Sequence, residues 1–155
     1  MPGCYFRVSG ADFAPDTFLA SASLSGYSVW HAGEPLAKSG PRGSRVHHSS
    51  GFACDVSNVD GDLDGQLQDA NDFLSANHND LARLATDPNV EDRRLDFGVE
   101  CRLGIDNVAV QGEWLPVDFL RWVAELRIGV ALSLYPSTQA DSRGQPCPPH
   151  KSDRE

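Results

Sequence analysis

Residues 63–85 read LDGQLQDANDFLSANHNDLARLA, and residues 95–103 read LDFGVECRL. The first stretch places Leu63, Leu67, Ala70, Leu74, Asn77, Leu81 and Leu84 at alternating steps of four and three, which is one stripe along an α-helix. Phe73 and Ala85 widen that stripe. The second stretch alternates Leu95, Phe97, Val99, Cys101 and Leu103 with Asp96, Gly98, Glu100 and Arg102, the period of a strand with one buried face. Aspartates at 60, 62 and 64 suit the positive end of the helix dipole, and Asp87-Pro88 stops the helix. One long helix from Leu63 to Ala85, laid on a sheet, is therefore the predicted centre of the molecule.

Working outward, Cys4, Phe6 and Val8 alternate with Tyr5, Arg7 and Ser9 as a first strand, and Pro15-Asp16 opens a short helix reaching about Ala22. Tyr27 to Trp30 make a brief extended segment. Phe52, Cys54 and Val56 give a second strand. After residue 103 come an extended Val108–Val110 and a helix opened by Pro116, with Val117, Leu120, Val123 and Leu126 on one side. A last strand runs through Ile128, Val130, Leu132 and Leu134. The expected fold is α+β: a single mixed sheet of about four strands with two or three packed helices, ferredoxin-like or related.

At 155 residues, with 40% hydrophobic and 23% charged side chains, the chain has the size and composition of one globular domain. That domain is expected to span residues 1–135, with an exposed loop near 36–50 that is rich in Gly, Pro and Ser. Residues 136–155 carry almost no apolar side chains and are expected to form a disordered tail. No apolar run reaches the roughly 18 residues a membrane helix needs, and no signal sequence is evident. The four cysteines form no Cys-x-x-Cys pair, so reduced thiols and a cytoplasmic location are expected.

Charge is distributed unevenly. Residues 51–100 hold three Lys/Arg against twelve Asp/Glu, which accounts for the whole net charge of −9. Such a surface repels phosphate backbones and attracts basic ones, so nucleic acid is excluded as a partner and a basic protein is favoured. The candidate partner-binding residues are Asp60, Asp62, Asp64, Asp69, Asp72 and Asp80. Asp69, Asp72 and Asp80 are predicted to be exposed, since they lie away from the Leu67, Leu74 and Leu81 stripe.

Catalytic and metal motifs are incomplete. Asp60-Gly61-Asp62-Leu63-Asp64-Gly65 matches the start of an EF-hand loop, but position 12 is Asn71 where a bidentate Glu belongs, and a strand precedes the loop instead of a helix. The string reads better as an acidic turn capping the long helix. His31, His47, His48, His78 and His150 form no ligand pair and read as solvated loop residues. Asp96 and Glu100 share a strand face about 13 Å apart, too far for an acid/base pair. Neither a Gly-x-Ser-x-Gly elbow nor a phosphate-binding glycine loop is present. No cofactor, metal site or catalytic residue is assigned, and Trp30, Trp114 and Trp122 are expected in the core, with Trp122 at its edge.

Tyr5-Phe6-Arg7-Val8-Ser9-Gly10, Pro15-Asp16, Trp30-His31-Ala32-Gly33-Glu34-Pro35 and Ser50-Gly51-Phe52 together resemble a bacterial family of small proteins of unknown function. Members open with Tyr-Phe-x-Ile/Val-Ser-Gly and carry a later Trp-x-x-Gly-Asp/Glu-Pro. The resemblance spans roughly residues 4 to 135 and departs at Phe52, where the family more often has Trp. It implies a non-enzymatic binding role, that of an immunity protein neutralising a cognate toxin, and supplies no catalytic residues. The rival expectation is a small carboxylate-based or metal-assisted hydrolase using Asp60, Asp62, Asp64 or Asp96 with His31.

Overall fold

The computed structural model describes residues 3–36, 45–103 and 108–136. The core of the expected loop (37–44) and the expected tail beyond Pro136 lie outside the described residues. Nine elements follow one another: β1 (Cys4–Gly10), α1 (Pro15–Leu19), β2 (Tyr27–Trp30), β3 (Ser50–Ser57), α2 (Leu63–Ala76), α3 (His78–Thr86), β4 (Asp92–Cys101), α4 (Val117–Glu125) and β5 (Gly129–Pro136).

The α+β class and single mixed sheet hold, with five strands in place of about four and four helices in place of two or three. The order is β2-β3-β1-β4-β5. The additional strand is Tyr27–Trp30, which completes an antiparallel ladder with β3, pairing Val29 with Phe52 and Trp30 with Gly51. β1 lies antiparallel to both β3 and β4. A split βαβ sheet of the ferredoxin type would pair its strands differently. Among the described residues the one parallel pair is β4–β5, joined through α4 as a βαβ unit.

Register sorts the side chains into two faces. Cys4, Phe6 and Val8 of β1 stand beside Cys54 and Phe52 of β3 and beside Phe97 and Leu95 of β4, and all are fully buried. Every helix packs on this face. Phe18 of α1 stacks on Phe52 at 5.9 Å, Phe73 of α2 lies 5.5 Å from Phe6, and Phe119 of α4 meets Phe97 edge-on at 5.8 Å. The opposite face carries Tyr5, Arg7, Asp55, Arg94 and Asp96, with Arg7 4.6 Å above the Trp30 ring. Gly51 permits that arrangement, because a Cβ there would overlap the Val8 carbonyl and sit 2.5 Å from the Trp30 ring.

Four local expectations change. The long helix divides at Asn77, where the Phe73 carbonyl accepts from both the backbone amide, at 3.1 Å, and the Nδ2, at 2.9 Å, of Asn77. The leucine stripe nevertheless continues through Leu81 and Leu84. In α4 the buried side is Phe119, Val123 and Leu126, while Val117 and Leu120 are exposed, because a step of three falls 60° short of a turn each time. β4 begins at Asp92 and ends at Cys101, so Leu103 is exposed. Trp114 is 73% exposed and not a core residue.

Residues at the two ends of the expected loop pair with each other. Pro35 and Val46 form an antiparallel bridge, and the Gly33 amide donates to the His47 carbonyl at 2.8 Å.

Candidate functional site

The β3–α2 turn and the end of β4 assemble an acidic cleft of about 250 Å³ lined by Gly61, Asp62, Leu63, Asp64, Val99, Glu100, Arg102 and Glu113. Gly61 turns the chain with φ 69°, in the left-handed region that glycine accepts without strain. Asp62 then caps α2, its carboxylate accepting from the Asp64 amide at 3.2 Å. Asp60, Asp62 and Asp64 are all exposed.

Glu113 arrives from outside the local pattern. Gln111 donates to the Glu100 carbonyl and accepts from the Arg102 amide, both at 2.8 Å, so its amide extends the end of β4 as a neighbouring strand would. It also donates to Glu113 Oε1 at 2.8 Å, which holds that carboxylate beside Arg102 at 3.5 Å. Four carboxylates thus share a cleft with one cation. Sequence reading missed Glu100 and Glu113 as site members, and only the Gln-x-Glu spacing at 111–113 hinted at a bridging side chain.

Gln66 locks the helix to this cleft. It is fully buried, and its Nε2 donates to the Val59 carbonyl at 2.9 Å and to the Gly98 carbonyl at 2.7 Å. The start of α2 is thereby tied to the turn before it and to the strand that carries Glu100.

Asp69 and Asp72, one turn further along, line a second groove with Val56, Ser57, Asn58, Val59, Phe73 and Ala76. Asp69 accepts a 2.6 Å hydrogen bond from the Ser57 hydroxyl and is half-buried, while Asp72 is exposed. Asp80 does not belong to this surface. It is 8% exposed and accepts from the Ser23 amide at 2.7 Å and from Arg83 at 3.1 Å, so the prediction that it is exposed is overturned. Asp80 lies seven residues after Phe73, on the flank of the leucine stripe and not opposite it, and so clasps the segment after α1.

The residues a hydrolase would need lie apart. His31 follows β2 at the far edge of the sheet, where its Nε2 contacts Asp16 at 2.6 Å and its Nδ1 contacts Glu34 at 3.1 Å. These two carboxylates raise its pKa above the usual value, Asp16 first. Glu34 is pushed down by the His31 amide and then by its ring. These contacts also correct the reading of His31 as a simply solvated loop residue, and His47 stacks on Trp30 at 5.7 Å. Asp96 accepts from Ser133 at 2.6 Å on the open sheet face.

Among the described residues no group of three or more His, Cys, Asp or Glu is arranged to hold a metal ion, and no helix is long and apolar enough to cross a membrane. Burial raises the thiol of Cys54 to about 12 and that of Cys4 further still, so neither is a ready nucleophile.

Comparison with known proteins returned no match: no family model, no curated protein and no solved structure aligns with the chain. Functional argument therefore rests on residues and geometry.

Proposed function

We propose that this chain is a non-enzymatic protein-binding domain that presents an acidic edge to a basic partner. The observation that carries the reading is the gathering of Asp62, Asp64, Glu100 and Glu113 around one cleft, continued along α2 by Asp69 and Asp72. Like charges repel unless something offsets them, and Arg102 is the one cation lining that cleft. A lysine- or arginine-rich surface would supply the balance, accelerating encounter and rejecting acidic competitors. The motif resemblance narrows the partner to a toxin with a basic active-site cleft, which the domain would cover as an immunity protein in the cytoplasm.

The test is the association rate with the product of the adjacent gene at about 20 mM and about 300 mM salt. Replacing Asp62, Asp64 and Asp72 together by Asn is expected to slow association roughly tenfold at low salt and much less at high salt, since steering contributes 10-fold or more in rate. Dissociation should change little. If no complex forms at low salt, or the triple variant associates at the wild-type rate in both buffers, the acidic edge is not the binding surface.

A further inference from the structure

The nine exposed large hydrophobic residues among those described are not scattered, because seven of them lie between Leu103 and Leu134. β5 is an edge strand of eight residues, Gly-Val-Ala-Leu-Ser-Leu-Tyr-Pro, with no charged side chain and no proline before its last position. Edge strands are normally blunted by charge, proline, a bulge or short length, and β5 has none of these along its first seven residues. The other edge, β2, is only four residues long.

The helix above β5 extends the same apolar surface. In α4 the buried direction is set by Phe119, Val123 and Leu126. Asp118 and Trp122 turn from it toward α2, where they line a cleft with Asn71 and Asp72. At 3.6 residues per turn, Val117, Leu120 and Ala124 turn the opposite way, out over the sheet edge. On the strand, Leu132 and Leu134 stand beside the buried Phe97 and Val99 on the helix-covered face, yet they are 41% and 55% exposed. Helix flank and strand edge make one continuous apolar ledge.

We propose that this ledge docks a second copy of the chain, with β5 pairing antiparallel to the partner's β5 across a two-fold axis normal to the sheet. That operation keeps both α4 helices on the same side, so Leu120 and Leu132 meet their own counterparts. Charge selects the occupant. A chain of net charge −9 pairs with itself most readily where its negative charge is absent: β5 carries no charged side chain, and the charge beside Val117 and Ala124 on this flank of α4 is the cation Arg121, which pairs with Asp118 at 3.5 Å. A basic partner would instead be drawn to the carboxylates of the cleft.

A strand of eight residues is roughly 26 Å long, and with the helix about 10 Å above it the ledge presents a face of roughly 260 Å² on each copy, to which the main-chain pairing of the two strands adds. That is the size of a weak interface, so a dissociation constant on the order of tens of micromolar is expected.

Sedimentation velocity from about 2 to about 200 µM decides the matter. Wild type should pass from monomer to dimer across that range and should dimerise more tightly as salt is added, because salt screens the repulsion between two acidic chains. Leu132→Lys and Leu120→Lys should each weaken the dimer roughly tenfold or more. Both lower the net negative charge, so general repulsion would not explain the loss. Tyr27→Lys on the β2 edge should have no effect. Thermal melts check that every variant folds. A wild type that stays monomeric at the highest concentration, a dimer indifferent to both ledge variants, or one broken by Tyr27→Lys instead would each overturn the proposal.

Discussion

Replacing Gln66 tests whether the start of α2 is held in place as the geometry requires. The side chain is fully buried, and its amide nitrogen serves the carbonyls of Val59 and Gly98 at once, while Oε1 has no partner among the described residues. Gln66→Met keeps the volume and strips both carbonyls of their donor, at about 1–3 kcal/mol each. It also removes the unpartnered oxygen, which returns about 1–2 kcal/mol. The net loss is about 2–3 kcal/mol, or roughly 6–10 °C in Tm for a domain of this size. Gln66→Glu should be worse at neutral pH, since a carboxylate cannot donate to either carbonyl and carries a buried charge. Burial would raise that glutamate's pKa in the folded state. Its contribution is therefore fully present below the unfolded value of about 4.3 and is lost as pH rises through the folded value. Thermal melts from pH 7 down to about pH 4.5, referenced to wild type at each pH, should show the gap for Gln66→Glu narrowing as pH falls. A Gln66→Met variant within about 1 °C of wild type, or a Gln66→Glu gap independent of pH, would refute the clamp.

Two further outcomes follow from side chains that turned out to be committed to structure. Asp80→Ala takes the acceptor from the Ser23 amide and from Arg83 and is expected to cost about 1–2 kcal/mol in denaturant unfolding, whereas Asp80→Asn keeps an acceptor oxygen and should cost about 0.5 kcal/mol. His31 has its pKa raised by Asp16 and then Glu34, so its ion pairs support the fold fully below the ordinary histidine value and fade as pH rises through the raised one. Ring-proton NMR should place its midpoint above about 6.5, and Asp16→Asn should lower it. A midpoint unmoved by that substitution would mean the contact does not persist in solution.

Much of the fold was legible because period is a local property. Cys4, Phe6 and Val8 each meet the same environment two residues apart, and so do Leu95, Phe97 and Val99, so alternation alone identified their buried face. The leucine stripe of 63–84 did the same for the helices, and the carboxylate excess of 51–100 pointed to the edge on which Asp62, Asp64 and Asp72 are exposed. Four-residue Tyr27–Trp30 was too short for its period to distinguish a strand from a loop, and its place in the sheet comes entirely from pairing with β3.

What lay beyond the sequence was everything that depends on which distant segments meet. Asp69 and Asp80 lie on the same flank of the leucine stripe, yet one accepts from Ser57 nearby and the other closes on Ser23, 57 residues away. Glu113 joins Asp62 and Asp64 only because Gln111 folds its segment against β4. Val130, Leu132 and Leu134 look equivalent in period, but the first packs against the core and the other two are exposed. Residue spacing was enough to tell which side of β1, β4 and the leucine-rich helices turns inward, although in α4 it placed Val117 and Leu120 on the buried side. The tertiary structure alone decided strand order, the acidic cleft and the open ledge, because side chains far apart in the chain interact only once the backbone has brought them together.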